Sequence, residues 1–171
     1  MPEPTANPQE SVDGWEPRIV AFFCNWCTYL AADLAGTSRM KYAPNARVIR
    51  VMCSGRIDPQ FVMEAFANGA DGVLIGGCHF GDCHYQSGNH KALRRFRLLQ
   101  RVMAGMGIED DRLRLEWISA AEADKLRDVM NDMVARLTAL GPLLLEVPPE
   151  GFNVELPEEI AADAELAEVT A

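Results

Sequence analysis

Three short apolar runs in this chain each end at a cysteine. Ile19 to Phe23 leads into Cys24, Val48 to Met52 into Cys53, and Val73 to Gly77 into Cys78. Runs this short, rich in β-branched and aromatic residues and separated by helical stretches, read as strands of a parallel sheet. Parallel strands bring their carboxyl ends to a single edge, and an open α/β sheet binds its ligands at that edge. The remaining thiols follow closely: Cys27 lies three residues after Cys24, and Cys83 five after Cys78. The spacing therefore predicts five thiols converging at one edge of the sheet.

The rest of the chain supports that frame. Strands are expected at about 18–23, 47–52, 72–76 and 112–118. The last, Arg112 to Ile118, alternates polar and apolar residues as a partly exposed edge strand does. Asp58-Pro59 has the form of an N-cap followed by proline at the first helical position, and Asn68-Gly69 of a helix stop. A polar, glycine-bearing loop spans 77–89, and a helix runs from about 90 to 105. Ser119 with Glu122 three residues on reads as a capping box for a helix ending near Gly141-Pro142. The predicted fold is a single α/β domain, a small parallel sheet of about four strands with helices on both faces, flavodoxin-like or half of a Rossmann fold.

Charge is unevenly spread. The net charge is −9, but residues 142–171 hold eight acidic residues and no Lys or Arg, leaving 17 acidic against 16 basic residues before them. The organisation expected is a flexible lead-in at 1–15, a domain at 16–141 and an acidic, Pro/Glu-rich arm at 142–171. With no basic footprint, nucleic acid is not an expected partner. No apolar run is long enough to span a bilayer, and the first ten residues lack the layout of a secretory signal. A cytoplasmic setting is therefore expected, where thiols serve metals or catalysis more often than structural disulfides.

Cys24-x-x-Cys27 alone fits two chemistries. At a strand-to-helix junction it is the layout of a thioredoxin-like dithiol–disulfide oxidoreductase, and the same spacing also chelates a metal. Three further cysteines at equivalent strand ends favour metal. Zinc and a 2Fe–2S cluster both suit four thiolates with one to spare. Scattered ligation from several strands favours the cluster, with a structural zinc module as the remaining possibility. The expected ligands are Cys24, Cys53, Cys78 and Cys83, with Cys27 as the alternative. Arg56 is placed to offset the negative charge, and His79 and His84 to line or hydrogen-bond the site. Glycine amides at 76, 77, 81 and 88 are candidate donors to sulfur. Lys91, Arg94, Arg95 and Arg101 share a broad helix face that is either solvated or a docking surface for an acidic partner. There is no G-x-G-x-x-G after the first strand, no phosphate-binding loop and no Ser-His-Asp order with a nucleophile elbow, so no residue set is expected to transform a substrate by itself.

Six motifs are shared with a known family. They are Phe22 to Cys27, Asp33 to Gly36, Val51 to Arg56, Gly69 to Gly72, Gly77 to His84 and Glu116 to Ser119. Together they resemble the delta subunit of methyl-viologen-reducing hydrogenase over roughly 17–141. The resemblance implies a non-catalytic electron-transfer subunit carrying a 2Fe–2S cluster. Its partners would be a hydrogenase or other dehydrogenase module and the flavin-containing A component of heterodisulfide reductase. All five cysteines of the family pattern are present, whereas the arm 142–171 lies outside the resemblance.

Overall fold

The computed structural model describes residues 14–144. Of the lead-in expected at 1–15 and the arm expected at 142–171, residues 1–13 and 145–171 lie outside the described residues. Four parallel strands, β1 (Ile19–Cys24), β2 (Ala46–Val51), β3 (Gly72–Gly77) and β4 (Leu113–Trp117), form one sheet in the order β2-β1-β3-β4. Four helices connect or follow them: α1 (Thr28–Thr37), α2 (Pro59–Ala67), α3 (Gly88–Gly105) and α4 (Ala123–Leu140). The alternating α/β architecture expected from the sequence is the one observed.

Two cores sandwich the sheet. On one face Ile19, Ala21, Phe23 and Leu74 pack against α1 and α4 through Ala31, Leu126, Met130 and Met133. On the other, Phe22, Val73 and Ile75 pack against α2 and α3 through Val62, Phe66, Leu99 and Met103. Strand side chains alternate between faces, so adjacent residues of β1 and β3 feed different cores. This explains why β1 and β3 read as nearly continuous apolar runs: each is buried on both sides.

The edge strands behave differently. β4 is half-buried along most of its length, as its alternation predicts. β2 is the second edge and is largely exposed despite its apolar character, with Val48 and Ile49 uncovered on opposite faces. Asp58 caps α2 as expected, its carboxylate accepting from the Gln60 amide at 3.0 Å. The Ser119–Glu122 pairing is present but sits one turn ahead of the helix. Glu122 Oε2 accepts from the Ser119 amide at 2.6 Å, and α4 starts only at Ala123.

Arg112 locks the base of the sheet. Its side chain is fully buried, donating to the carbonyls of Asp71 (3.2 Å) and Gly141 (3.1 Å) and pairing with the Glu109 carboxylate. Asp71 accepts in turn from the Arg18 and Leu143 amides. The start of β1, the start of β3 and the end of α4 are thus held at the opposite end of the strands from the cysteines. Among the described residues, no helix is long and apolar enough to cross a membrane.

Candidate metal centre

Register brings three of the cysteines to the same end of the sheet within two residues of one another. Cys24 pairs with Val51 across β1 and β2, and Phe23 with Gly76 across β1 and β3. Cys53 therefore stands two residues past the β2 end of that line, and Cys78 directly after β3. From β1 the chain crosses to β2 on one side, while β3 leads to β4 on the other, so β1 and β3 flank the point where strand order reverses. That switch point opens a crevice between the loops following the two strands. Cys24 and Cys27 enter it from the β1–α1 connection, and Cys78 and Cys83 from the β3–α3 loop.

All five thiols are free and buried and pack together as their own cluster. Within it they fall into two groups. The sulfurs of Cys24, Cys27 and Cys78 lie within 4.8 Å of one another, with Cys24 Sγ and Cys78 Sγ 3.7 Å apart. Cys53 and Cys83 form the second group, and both sulfurs press on the backbone of Gly88. A Cβ at Gly88 would overlap Cys53 Sγ and lie 3.1 Å from Cys83 Sγ, while one at Gly55 would lie 2.7 Å from the Gly88 carbonyl oxygen. The two glycines let the turn after β2 close against the start of α3, which brings Cys53 to Cys83.

The charge state of the thiols follows from their crowding. Hydrogen bonds from Cys27 and then Cys78 pull Cys24 far below the ordinary thiol value. The Cys24 sulfur in turn pushes Cys27 up to about 11 and Cys78 upward as well. Burial raises Cys53. Burial also opposes ionisation of Cys83, but the amides of Asn89, Tyr85 and Gly88 outweigh it and bring that thiol down. The trio accepts one negative charge readily and resists more. A soft, multiply charged cation removes that resistance, because each thiolate then faces positive charge in place of another thiolate. Five sulfurs with no carboxylate among them fit zinc or an iron–sulfur centre and do not fit hard cations.

The surrounding shell holds what the sequence identified and some of what it missed. Arg56 is exposed in the 3-10 turn Ser54–Arg56 beside Cys53. His79, adjacent to Cys78, places Nε2 2.6 Å from Glu122 Oε2; the Ser119 amide first, and then His79, hold the Glu122 carboxyl down at about 2. His84 stacks on Trp26 with ring centroids 3.8 Å apart, and Tyr85 meets His84 edge-on. That stack lies between the Cys24–Cys27 loop and the Cys83 loop. The backbone donors to sulfur are Gly55, which reaches Cys53 Sγ at 3.4 Å, the amides of Trp26 and Ser54 at Cys24, and the amides around Cys83. Of the glycines named from the sequence, only Gly88 is among them. Gly76 and Gly77 belong to β3, and Gly81 sits in a left-handed turn.

Two positioning residues lacked a sequence signal of their own. Asn89 is fully buried, its Nδ2 donating to the carbonyls of Cys78 (3.2 Å) and His79 (2.8 Å) while Oδ1 accepts from the His90 amide. It ties both ends of the cysteine loop together. Arg95, counted from spacing as part of an open basic face, turns inward and donates to the carbonyls of Gly55 (2.8 Å) and Ile57 (3.1 Å). It fastens the turn after Cys53 to α3.

A doubly sandwiched parallel sheet with an all-cysteine pocket at its switch point defines a small α/β protein with a candidate thiolate metal site. Residues 19–141 match the model of the methyl-viologen-reducing hydrogenase delta subunit, and the chain belongs to that family. It is 56% identical over 132 residues to the iron-sulfur (D) subunit of the F420-non-reducing hydrogenase of Archaeoglobus profundus, covering 77% of this chain and 96% of that one. It is 54% identical over 134 residues to the vhc iron-sulfur (D) subunit of the same kind of hydrogenase in Methanococcus voltae, 78% and 93% of the two chains. A third relative is the A component of the ferredoxin/F(420)H(2)-dependent CoB-CoM heterodisulfide reductase of Methanosarcina acetivorans. It is 48% identical over 134 residues, which is 78% of this chain but 17% of that much longer one.

Proposed function

We propose that this chain is an electron-transfer subunit holding a 2Fe–2S cluster in the cysteine pocket. It relays electrons between a hydrogenase or other dehydrogenase module and the flavin-containing A component of a heterodisulfide-reductase-type enzyme. The observation that carries this reading is the division of five buried sulfurs into two adjacent groups. Cys53 and Cys83 would hold one iron, and Cys24 and Cys78 the other, with Cys27 as the substitute in the trio. When bound, the cluster takes up and releases one electron at a time. The protein's share is to hold four thiolates, offset their charge and exclude water. Asn89 and Arg95 fix the two loops that carry Cys78, Cys83 and Cys53, amides around Cys83 and at Gly55 donate to sulfur, and the Trp26–His84 stack joins the loops that carry Cys27 and Cys83. Arg56 offsets the charge from the Cys53 side, and His79 and His84 complete the surroundings.

Two relationships support the partners. Relatives matched over nearly their whole length are named iron-sulfur subunits of hydrogenases. In the A component of a heterodisulfide reductase, the matching stretch is a minor part of a longer chain. A unit that occurs both as a separate chain and as a stretch of that component is suited to docking there. Five free thiols suit a reducing, cytoplasmic setting. The test is anaerobic purification followed by iron and sulfide analysis and visible absorption of wild type and Cys78→Ser. Charge-transfer bands in wild type that vanish in Cys78→Ser support the reading. Stoichiometric zinc, or a metal-free protein with a titratable Cys24–Cys27 disulfide, overturns it.

A further inference from the structure

The two sulfur groups have different surroundings. The Cys24–Cys27–Cys78 trio has Trp26 beside it in the chain, stacked on His84. The other group faces a surface notch of about 320 Å³ with Cys53, Gly55 and Gly88 lining it. Met52 and Tyr85 stand at its sides, 53% and 49% exposed. Ser87, Arg56 and Lys91 complete the lining; both cations are exposed, and neither forms an ion pair among the described residues. No carboxylate lines the notch. It is an apolar hollow with cations on its rim, and Cys53 of the thiol cluster is part of its wall.

We infer that this notch is where a redox partner docks, resting on the reading of the chain as an electron carrier. The partner is a protein presenting an apolar side chain that fills the hollow between Met52 and Tyr85, flanked by carboxylates that meet Arg56 and Lys91. Charge complementarity identifies the partner's chemistry: two free cations around an apolar centre match the anchor-and-rim pattern of transient interfaces. Rim charges of this kind act mainly on encounter, speeding association at low salt and losing influence as salt screens them. In the docked state one electron would cross between the partner and the cluster that the cysteines would hold. The donor loses one equivalent and the acceptor gains it, with no bond made or broken and no proton moved. Arg95 serves this surface from behind, since its bonds to Gly55 and Ile57 hold the notch floor against α3.

The experiment uses the full, cluster-loaded chain and the purified A component of the heterodisulfide-reductase-type enzyme from the same source. Association is followed by stopped flow at low and high ionic strength for wild type, Arg56→Glu/Lys91→Glu, Tyr85→Ala and the control Arg101→Glu. Ferricyanide serves as a partner-free anionic oxidant of the reduced protein. The double reversal is expected to slow association by about ten-fold or more at low salt, with the difference shrinking at high salt. It should slow ferricyanide oxidation in the same direction. Tyr85→Ala should weaken the complex mainly through faster dissociation, and Arg101→Glu should behave as wild type. Iron content and the visible spectrum are read on every variant. Wild-type kinetics in the double reversal, with the cluster intact, overturns the docking site and leaves the electron-carrier reading standing. A notch occupied by the chain's own acidic arm or by a second copy also overturns it, and shows as faster association after truncation at Leu144 or as a dimer in sedimentation. A wild-type chain without iron fails at the earlier step instead.

Discussion

Replacing Gly88 by alanine adds one carbon at the point where the two loops of the site meet. That carbon would overlap Cys53 Sγ and crowd Cys83 Sγ at 3.1 Å, so one sulfur must move. Cys53 has a single side-chain torsion, and swinging it to another rotamer carries its sulfur out of the group. Forcing a carbon into a packed site costs about 1–3 kcal/mol. Against this, alanine in place of glycine within a helix gains about 0.5–1 kcal/mol, and Gly88 is the first residue of α3. The net effect on the metal-free fold is therefore a loss of about 0–2.5 kcal/mol, while one ligand position is removed outright. Iron per chain and visible absorbance should fall to less than half of wild type, with helical circular dichroism retained and a modestly lower Tm. Gly36→Ala serves as the control, since nothing lies within 4 Å of its added carbon and it should keep its iron. Full iron and an unchanged spectrum in Gly88→Ala would refute the claim that Cys53 and Cys83 meet across this glycine.

Three further outcomes follow from the groups around the site and at the base of the sheet. Asn89→Ala strips the carbonyls of Cys78 and His79 of their buried donor and should cost about 1–3 kcal/mol in urea unfolding, with faster bleaching in air. Arg112→Met leaves the Asp71 and Gly141 carbonyls unpaired and should cost about 3 kcal/mol by the same assay, without changing the visible spectrum. The Glu109 carboxyl is held below its ordinary value by its hydrogen bond to Arg112. Its contribution is therefore complete above the unfolded carboxylate pKa of about 4.3 and fades as pH falls through the folded value. Because Glu109 is half exposed, Glu109→Gln should cost under about 1 kcal/mol at neutral pH and flatten the acid limb of the Tm–pH curve.

The strands were legible because each apolar run is bounded by turn or cap residues, and because β1 and β3 are buried on both faces. The exposure of β2 was not, since Val48 and Ile49 read the same at an edge as in an interior. The convergence of the cysteines was legible from parallel connectivity alone. The grouping of Cys53 with Cys83 was not, because it depends on how closely Gly55 and Gly88 let two backbones approach. Arg95 shows the limit of helical spacing, which places a cation on a face but does not reveal that a carbonyl pair waits within reach. Asn89 shares the helix start with two other polar residues, and only the fold reveals that it alone is enclosed.

The central claim is that the five-thiol pocket holds an iron–sulfur centre bound by both sulfur groups. Its most direct test is anaerobic metal and sulfide analysis of the purified chain, with electron paramagnetic resonance after reduction. About two irons and two sulfides per chain and a one-electron signal are expected. That signal should be lost on Cys53→Ser and on Cys78→Ser alike. A protein that holds one zinc, or one that keeps its full iron signal when either sulfur group is removed, would contradict the claim.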